Sequence, residues 1–381
     1  MKETILILNG QYAPGYKGGG PIQSCMNMVE NLSEYFDFRV FCADRDYKEN
    51  KPYIDVKIDT WNRVGTALVY YASPQKQSFK AIDEILNKTD YDILYLNGFF
   101  SPIFTIKPLV IRWLGKLNKT KIVLTPRGDF TGGCKNKKIK KYGYIYLSKI
   151  LKFYDNLIWH ATSEIEREDI LKKFPNAKIF VIPNLPAKYI PKIYTNKKEK
   201  GSLRLVFISR IFPKKNLKYA LEILKKVKNG NVIFDIYGPM EDKRYWSECL
   251  KVIEQLPGRI TVTYCGEVEH SQIPYIFEQY HAFFFPTLGE NYGHVIVEAM
   301  MNNCLCILSK GVTPWDEYIH NTNLGAELNQ RESFVQIIEE LINMDSDQVK
   351  KLILNMQNYV KQNTDSEAEK RKYIELFKCV K

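Results

Sequence analysis

The sequence predicts an α/β protein made of two successive series of alternating strands and helices. Short apolar runs typical of buried strands recur along the chain, and most are followed by a stretch with helical spacing of its apolar residues. The polar, lysine-rich residues 187–202 separate the first series from the second. At 381 residues the chain is longer than one hydrophobic core usually serves, so two domains are expected.

The composition is that of an ordinary soluble globular protein, with 45% hydrophobic and 26% charged residues. No apolar run approaches the roughly 18–20 residues of a membrane span, and residues 1–10 are expected to form a first strand and loop rather than a signal peptide. The eight cysteines include no C-x-x-C pair. We interpret them as reduced, buried thiols of a cytosolic protein, and neither they nor the five histidines have metal-binding spacing.

The positive charge is concentrated in one segment of the first series. Residues 101–152 contain 13 lysines and arginines and one acid, Asp129, in a chain whose net charge is +12. Such a segment forms either a solvated basic face or a surface for an anionic partner, and the partner could be a bilayer, a lipid-linked phosphate or nucleic acid. Charge alone does not decide among these.

The first series opens with a strand at residues 4–8, a glycine-containing loop and a helix at residues 22–35. This order is Rossmann-like, although the full G-x-G-x-x-G spacing is missing. Gly19 and Gly20 in the loop either contact a phosphate or sugar, or serve only the turns that the loop must make.

Polar residues follow the next buried strands of the first series. Short strands at residues 39–42 and 67–70 and a helix near residues 75–87 come first. Asn97 then ends a strand at residues 92–96, and residues 102–117 are expected to form a helix. Arg127 lies just after a strand at residues 121–124. Because open α/β sheets place ligands at strand carboxyl ends, both side chains are candidates for ligand contact, with ordinary loop chemistry as the alternative.

The remainder of the first series contains a basic amphipathic stretch and two further strands. Residues 134–153 mix lysines with apolar and tyrosine residues, which fits a helix on an anionic membrane or a helix packed on its own domain. His160 ends a strand at residues 157–160 and could be structural or catalytic, and Asn184 follows a strand at residues 178–182.

The second series repeats the pattern and carries the clearest candidate site. Arg210 and Lys215 follow a strand at residues 203–208, and Gly238 follows a strand at residues 232–237. An aromatic strand at residues 283–285 leads into a glycine loop and a helix at residues 295–301, framed by Glu290 and Glu298. Two cations and a helix N-terminus hold a diphosphate, while carboxylates accept hydrogen bonds from hydroxyls. The residues therefore predict a nucleotide-diphosphate-sugar site, although Glu298 alone could be a partly solvated helix position.

Several motifs of the second series resemble those of the retaining glycosyltransferases of family four, which have the GT-B fold. They are SRIFPKKNL at 209–217, FDIYGP at 234–239 and GENYGHVIVEAM at 289–300, whose two glutamates match the family's E-x7-E pattern. In the first series GGGP near residue 20, LNGFFS at 96–101, TPRG at 125–128 and HATSE at 160–164 resemble a branch used in capsule, O-antigen and exopolysaccharide assembly. The resemblance runs from residue 4 to about residue 320. One departure is Leu185, where members of this branch often have glycine.

The resemblance implies two Rossmann-like domains that face each other across a cleft. Residues 1–190 would bind the acceptor, with a helix at about residues 363–381 packing back on them, and residues 200–362 would bind the nucleotide sugar. It also implies a retaining, metal-independent hexosyltransferase with no cofactor. The enzyme would move a sugar from a UDP- or GDP-sugar to a hydroxyl of an acceptor, either a saccharide or a saccharide linked to polyprenyl diphosphate.

The expected site residues fall into three groups. The catalytic candidates are Glu290, Arg210, Lys215 and His160. On the acceptor side are Asn97 and Arg127. The donor-binding candidates are Gly19, Gly20, Asn184, Arg210, Lys215, Gly238, Glu290, Asn291, Tyr292, Gly293, His294, Val295 and Glu298.

Two other functions remain open from the sequence alone. An epimerase or phosphorylase could use the same fold, and a non-catalytic module could bind a sugar nucleotide or a polyanion. No nucleic-acid recognition motif accompanies the basic segment, so no nucleic-acid partner is expected. We expect a cytoplasmic protein held on the inner face of the membrane by residues 101–152.

Overall fold

The computed structural model describes residues 2–117, 121–130, 138–187, 192–290, 292–363 and 366–378, with the backbone alone for residues 138–142. The chain divides into two compact units. Unit 1 comprises Met1–Leu185 and Ser366–Lys381, and unit 2 comprises Pro186–Asp365. Each unit is α/β, as the sequence predicts.

Each unit is built on one sheet. The strands of unit 1 are β1 (Glu3–Leu8), β2 (Phe36–Ala43), β3 (Trp61–Val64), β4 (Ala67–Ala72), β5 (Ile93–Asn97), β6 (Lys121–Thr125), β7 (Ile158–Ala161) and β8 (Lys178–Val181). The strands of unit 2 are β9 (Ser202–Ile208), β10 (Asn231–Tyr237), β11 (Ile260–Gly266), β12 (Ala282–Phe285), β13 (Leu305–Ser309) and β14 (Gly325–Ala326).

The α-helices alternate with these strands. In chain order they are α1 (Gly20–Leu32), α2 (Phe79–Lys88), α3 (Lys107–Trp113), α4 (Lys138–Ile150), α5 (Glu164–Lys173), α6 (Leu217–Lys226), α7 (Lys243–Ile253), α8 (Ile273–Phe277), α9 (His294–Met301), α10 (Asp316–Thr322), α11 (Arg331–Asn343), α12 (Ser346–Asn363) and α13 (Glu367–Lys378).

The sheet of unit 1 has the strand order β3-β4-β2-β1-β5-β6-β7-β8, and every pairing in it is parallel except that of β3 with β4. Alternate residues of β1 bury opposite faces, as a parallel strand covered on both sides must. Ile5 and Ile7 pack in the cluster that contains α1 and α13, whereas Leu6 and Leu8 pack in the cluster that contains α2, α3, α4 and α5. The last helix of the chain therefore completes the core of unit 1.

The sheet of unit 2 has the order β11-β10-β9-β12-β13-β14, with all pairings parallel. Its centre is the aromatic run of β12, in which the rings of Phe283 and Phe285 stack with centroids 4.9 Å apart. All four residues of β12 are buried. This apolar centre fixes where the loop after β12 begins, and that loop carries the candidate site.

Several elements differ from the sequence prediction. The expected helix over residues 102–117 is a π-helical turn at Pro102–Ile106 followed by α3, which ends at Trp113. The antiparallel edge strand β3 and the helix α7 were not predicted. Five of the six described cysteines are buried and Cys265 is exposed. Among the described residues, no helix has the length and apolarity that crossing a bilayer requires.

Candidate functional site

The candidate site of unit 2 lies where its strand order reverses. From β9 the chain goes on to β10 and β11 on one side, and it returns to β12 on the other side of β9. The loops after β9 and β12 therefore diverge at the carboxyl edge of the sheet and leave a crevice, which is where open α/β sheets bind ligands. Arg210 and Lys215 belong to the first of these loops, and Glu290 belongs to the second.

The two loops are joined by an ion pair. Lys215 Nζ donates to Glu290 Oε1 over 2.5 Å, and the side chains are only 15% and 13% exposed. The hydroxyl of Thr287 lies 3.1 Å from the same oxygen. Burial lowers the pKa of Lys215, while the charge of Glu290 and its hydrogen bond oppose that shift. A cation and a carboxylate are thus fixed together at the crevice, as predicted from the sequence.

Arg210 is held from the neighbouring loop. Its Nη1 donates to Glu241 Oε2 over 2.8 Å, and its guanidinium lies 5.1 Å from the ring centre of Phe212. Gly238 lies next to Ser209 of the loop after β9. Its φ is 130°, and a Cβ built on it would be only 2.0 Å from the carbonyl oxygen of Ser209. Only glycine lets the loops after β9 and β10 approach so closely.

Helix α9 begins beside the Lys215–Glu290 ion pair. The carboxylate of Glu298 in this helix has a partner that the sequence did not indicate. Gly293, in the left-handed conformation with φ 76°, precedes its first residue His294. The imidazole Nε2 of His270 and Glu298 Oε1 are 2.9 Å apart. Burial disfavours protonation of His270, but the hydrogen bond and charge of Glu298 outweigh it, so the pKa of His270 is raised. Val295 lies in the first turn, where amides lack intrahelical acceptors.

Two aromatic side chains border the loop before α9. The indole Nε1 of Trp315 donates to the carbonyl oxygen of Tyr292 over 2.6 Å, and their rings are 5.5 Å apart. The ring of Tyr292 is also 4.8 Å from that of His294. Asn291, another donor-binding prediction, lies outside the described residues.

Unit 1 has its own site at the point where its strand order reverses, between β1 and β5. Asn9 follows β1 and Asn97 ends β5, and Asn97 Nδ2 donates to Asn9 Oδ1 over 2.9 Å. Arg127, after β6, donates from Nε to Asn97 Oδ1 over 2.7 Å and from Nη1 to Asn184 Oδ1. Its Nη2 is 3.3 Å from the hydroxyl of Tyr95. The structure thus brings together three residues that the sequence placed separately at strand ends.

His160 is not positioned to contact a substrate directly. It is 0% exposed, and both ring nitrogens are engaged. The hydroxyl of Tyr95 lies 2.7 Å from Nδ1, and the carbonyl oxygen of Ile182 lies 2.8 Å from Nε2. Because a carbonyl only accepts, Nε2 carries the proton and Nδ1 accepts from Tyr95. Burial and the nearby Arg127 lower the pKa of His160 to about 3, so the ring is neutral.

The predicted catalytic role of His160 is therefore corrected to a supporting one. A substrate would have to displace Tyr95 or Ile182 to reach either nitrogen. The ring also packs edge-on against Tyr373 of α13, with centroids 5.1 Å apart. His160 fixes the hydroxyl of Tyr95, which in turn contacts Arg127.

The glycine loop of unit 1 ends at the first residue of α1. Gly19 precedes the helix with φ 69°, and a Cβ on Gly20 would meet nothing within 4 Å. Asp46 holds the loop, since its Oδ2 accepts from the amides of Tyr16 and Lys17 over 2.8 and 3.0 Å. Across the described ranges, no three His, Cys, Asp or Glu side chains form a group that could hold a metal ion.

The sequence analysis did not identify four residues that hydrogen-bond to the predicted site side chains and hold them in place. Tyr95 is a buried strand residue, and nothing in the pattern ILYLN distinguishes its hydroxyl from an ordinary core tyrosine. Asn9 could have been found by the rule that identified Asn97, because it directly follows β1. Glu241 lies in a loop and His270 begins a short 3-10 helix, each about thirty residues in sequence from its partner, and no sequence signal identifies them.

Three comparisons bear on this arrangement. Residues 190–363 match a family model described as glycosyl transferases group 1. A relative from Klebsiella pneumoniae, described as an uncharacterized 41.2 kDa protein in the cps region, is 25% identical over 319 residues. That match covers 82% of this chain and 83% of the relative.

Solved structures extend the likeness to the whole chain. Anabaena HepE in complex with UDP and glucose matches with a TM-score of 0.69 at 15% identity, over 99% of this chain and 100% of HepE. Sucrose-phosphate synthase from Thermosynechococcus elongatus matches with a TM-score of 0.69 at 13% identity, over 100% of this chain and 99% of that one. WaaG, a glycosyltransferase involved in lipopolysaccharide biosynthesis, matches with a TM-score of 0.60 at 14% identity, over 97% and 99% of the two chains.

These findings confirm the GT-B fold and the resemblance that the motifs indicated. They support the prediction of a glycosyltransferase.

Proposed function

We propose that this chain, whose residues 190–363 match the glycosyl transferases group 1 family, is a retaining glycosyltransferase of cell-surface polysaccharide synthesis. It takes a hexose-type sugar from a UDP- or GDP-sugar and transfers it to a hydroxyl of a lipid-linked saccharide. The cps-region relative supports the polysaccharide context. The neighbour structures that contain UDP or UDP-glucose support a nucleotide-sugar donor.

The observation that carries this proposal is the Lys215–Glu290 pair at the crevice of unit 2. It places one fixed cation and one carboxylate beside the N-terminus of α9, with Arg210 on the same loop as Lys215. Cations and helix amides bind a diphosphate, and carboxylates accept from sugar hydroxyls. We assign the diphosphate to Arg210 and Lys215, and the donor sugar to Glu290. We assign the ribose to Oε2 of Glu298, since Oε1 of Glu298 already contacts His270.

The reaction needs no protein nucleophile in this scheme. The bond from the anomeric carbon to the diphosphate oxygen breaks, and its electron pair leaves with the diphosphate. The acceptor oxygen forms the new bond on the same face of the sugar, and its proton passes to an oxygen of the leaving diphosphate. Arg210 and Lys215 stabilise the negative charge that develops there, which is the electrostatic contribution that active sites use most.

The test is a donor screen that measures nucleotide diphosphate release with UDP- and GDP-sugars and saccharide acceptors. Lys215→Met and Glu290→Gln are each expected to lower turnover by roughly a hundredfold or more. Lys226→Met is the matched control, because Lys226 also pairs with a glutamate, Glu332, over 2.5 Å, but at the end of α6 opposite to the loop that carries Lys215.

The products decide between this proposal and other activities of the fold. A new glycoside with the anomeric configuration of the donor supports the retaining transferase. An epimerised donor, sugar 1-phosphate formation, or full activity in the Lys215→Met and Glu290→Gln variants would overturn it.

We also propose that α4 and the end of α3 hold the protein on an anionic membrane. Helix α4 has two faces, since Ile145 is buried in unit 1 whereas Tyr146, Leu147 and Ile150 are 70%, 52% and 59% exposed. Trp113, at the end of α3, is also exposed. Packing on the domain and binding a membrane, the two alternatives for this stretch, are therefore compatible. The part of the basic stretch at residues 131–137 lies outside the described residues.

A basic groove adjoins this surface. It has a volume of about 820 Å³ and lies at the amino ends of β6, β7 and β8, the sheet edge opposite to Asn97 and Arg127. Lys121, Lys149 and Lys178 line it together with Asp155. None of the three lysines forms an ion pair within the described part of the chain, although Lys149 Nζ lies 5.5 Å from the ring centre of Phe174. Unpaired lysines beside exposed apolar side chains are what an anionic bilayer surface attracts.

Liposome flotation tests this location. The full chain is expected to float with vesicles containing phosphatidylglycerol and not with pure phosphatidylcholine vesicles. The Leu147→Gln/Ile150→Gln double variant is expected to lose flotation, whereas Leu354→Gln, an exposed leucine on α12 of unit 2, should keep it. Equal binding to both vesicle types, or full binding by the double variant, would remove the membrane proposal without affecting the transferase.

A further inference from the structure

Among the described residues, the guanidinium of Arg127 in unit 1 is held by neutral groups alone. A guanidinium has five N–H donors. Three of them are used, by Asn97 Oδ1, by Asn184 Oδ1 and by the hydroxyl of Tyr95. One N–H on each of the two terminal nitrogens remains for another acceptor. Two parallel N–H groups are what a guanidinium uses to bind a carboxylate or a phosphate.

Within the described ranges, no acid at hydrogen-bond distance balances the charge of Arg127. In unit 2, by contrast, Arg210 and Lys215 each have a glutamate at hydrogen-bond distance. The acid beside Arg127 is Glu166, and its two oxygens are already engaged. Oε1 accepts from the amide of Gly128 over 2.6 Å, and Oε2 accepts from the amide and hydroxyl of Thr162 over 2.7 Å each.

The groups behind Arg127 keep the site positive. The hydroxyl of Tyr95 accepts from Arg127 and donates to His160, whose other nitrogen donates to the carbonyl oxygen of Ile182. All groups in this hydrogen-bonded series are neutral, so they orient the guanidinium of Arg127 without cancelling its charge. A partly buried cation with neutral neighbours is costly unless an anion completes the site.

The backbone at Arg127 is also unusual. Arg127 has φ 55° and Gly128 has φ 75°, so two consecutive residues lie in the left-handed region. A residue other than glycine or asparagine pays a conformational cost there. The loop is held in that conformation by Glu166, through the amide of Gly128, and by Asp129, which accepts from the amides of Phe99 and Phe100. These hydrogen bonds offset the strain and keep Arg127 against Asn97 at the carboxyl edge of the sheet.

We propose that Arg127 binds an oxyanion of the acceptor, so that the acceptor saccharide carries a carboxylate or a phosphate. This inference rests on the proposed transferase function, because it names the chemistry of its acceptor. A uronic acid supplies a carboxylate, and a sugar phosphate or a lipid-linked diphosphate supplies a phosphate. Asn97 and Asn184 orient the guanidinium, and Tyr95 and His160 are positioning residues behind it.

Direct binding to the full chain tests the proposal independently of turnover. The probes are glucuronate, glucose 6-phosphate and glucose, with UDP present at saturation to fill the donor site. The readouts are the dissociation constant by calorimetry and the ¹⁵Nε resonance of Arg127 by NMR. We expect at least one anionic probe to shift this resonance and to bind roughly tenfold or more tightly than glucose.

Variants separate the site from nonspecific attraction. Arg127→Gln is expected to lose that preference for the anion, whereas Arg167→Gln is the matched control, since Arg167 is exposed on α5 and contacts Glu164 over 3.3 Å. Tyr95→Phe is expected to move the Arg127 resonance and to weaken the anionic probe several-fold, an effect that a merely structural residue would not have. Preference for glucuronate identifies a carboxylate acceptor, and preference for glucose 6-phosphate identifies a phosphate.

Two outcomes would overturn the inference: glucose binding as tightly as both anions, or Arg127→Gln keeping the anion preference. Turnover distinguishes this failure from failure of the proposed function. If nucleotide release with neutral acceptors equals that with anionic acceptors, the acceptor inference fails and the transferase stands. If anionic sugars bind through Arg127 but no nucleotide sugar is turned over, the transferase assignment fails instead.

Discussion

Acidification is expected to destabilise unit 1 through His160. In the fold its pKa is lowered to about 3 by burial and by Arg127, whereas an unfolded histidine titrates near 6.5. Between these values the unfolded chain binds a proton that the folded unit excludes. The free energy of unfolding therefore falls as the pH falls, by about 1.4 kcal/mol for each pH unit below 6.5. From pH 7 to pH 5 the loss from this one group is roughly 2 kcal/mol.

The assay is urea unfolding at pH 7 and pH 5, followed by tryptophan fluorescence, because Trp159 lies in the core of unit 1 next to His160. The free energy of unfolding of His160→Gln should differ between pH 7 and pH 5 by roughly 2 kcal/mol less than that of the unmodified chain. This holds however much the substitution itself destabilises the protein at pH 7. His320→Gln, at an exposed position, is the control. Burial also lowers the pKa of His281 to about 4. Its contribution to the pH dependence is the same in the unmodified chain and in both variants. If His160→Gln and the unmodified chain lose the same free energy, the reasoning is refuted.

Two further predictions concern unit 2. Gly238→Ala should destabilise it by roughly 1–3 kcal/mol in urea unfolding, because the new Cβ would meet the Ser209 carbonyl oxygen at 2.0 Å with φ at 130°. Gly258→Ala, where a Cβ meets nothing within 4 Å, should be near neutral, and an equal loss in both variants would contradict the steric argument. Because the pKa of His270 is raised by Glu298, its stabilising contribution is complete below pH 6.5 and is lost as the pH rises through the folded pKa. His270→Gln should therefore destabilise the protein more at pH 6 than at pH 9, and the opposite trend would refute the pairing.

The strand ends were predictable because they follow a local rule. A buried apolar run followed by a polar residue identified Asn97, Arg127, Arg210 and Lys215 without knowledge of strand order. The sequence could not show which of these ends meet. That depends on the position of each strand in the sheet, and only the order β1-β5-β6 brings Asn97 and Arg127 together.

The position of His160 shows the limit of the same rule. It lies at a strand end, as predicted, but as the third of the four residues of β7 its ring faces the core. The ring is covered by Tyr373 of α13, more than two hundred residues later in the chain. Burial by such a distant segment leaves no local pattern. The short edge strand β3 was missed for a related reason, since WNRV has no apolar run and forms only by pairing with β4.

The return of the last helix to unit 1 has a consequence for biosynthesis. Tyr373 and Phe377 of α13 fill the core of unit 1 beside His160 and Tyr95, yet a ribosome makes them after all of unit 2. Unit 2 can form its complete core while the chain is still being elongated. Unit 1, although begun first, cannot complete its core around Arg127 until α13 has left the exit tunnel. Of the two units, unit 1 is therefore the later to complete its core.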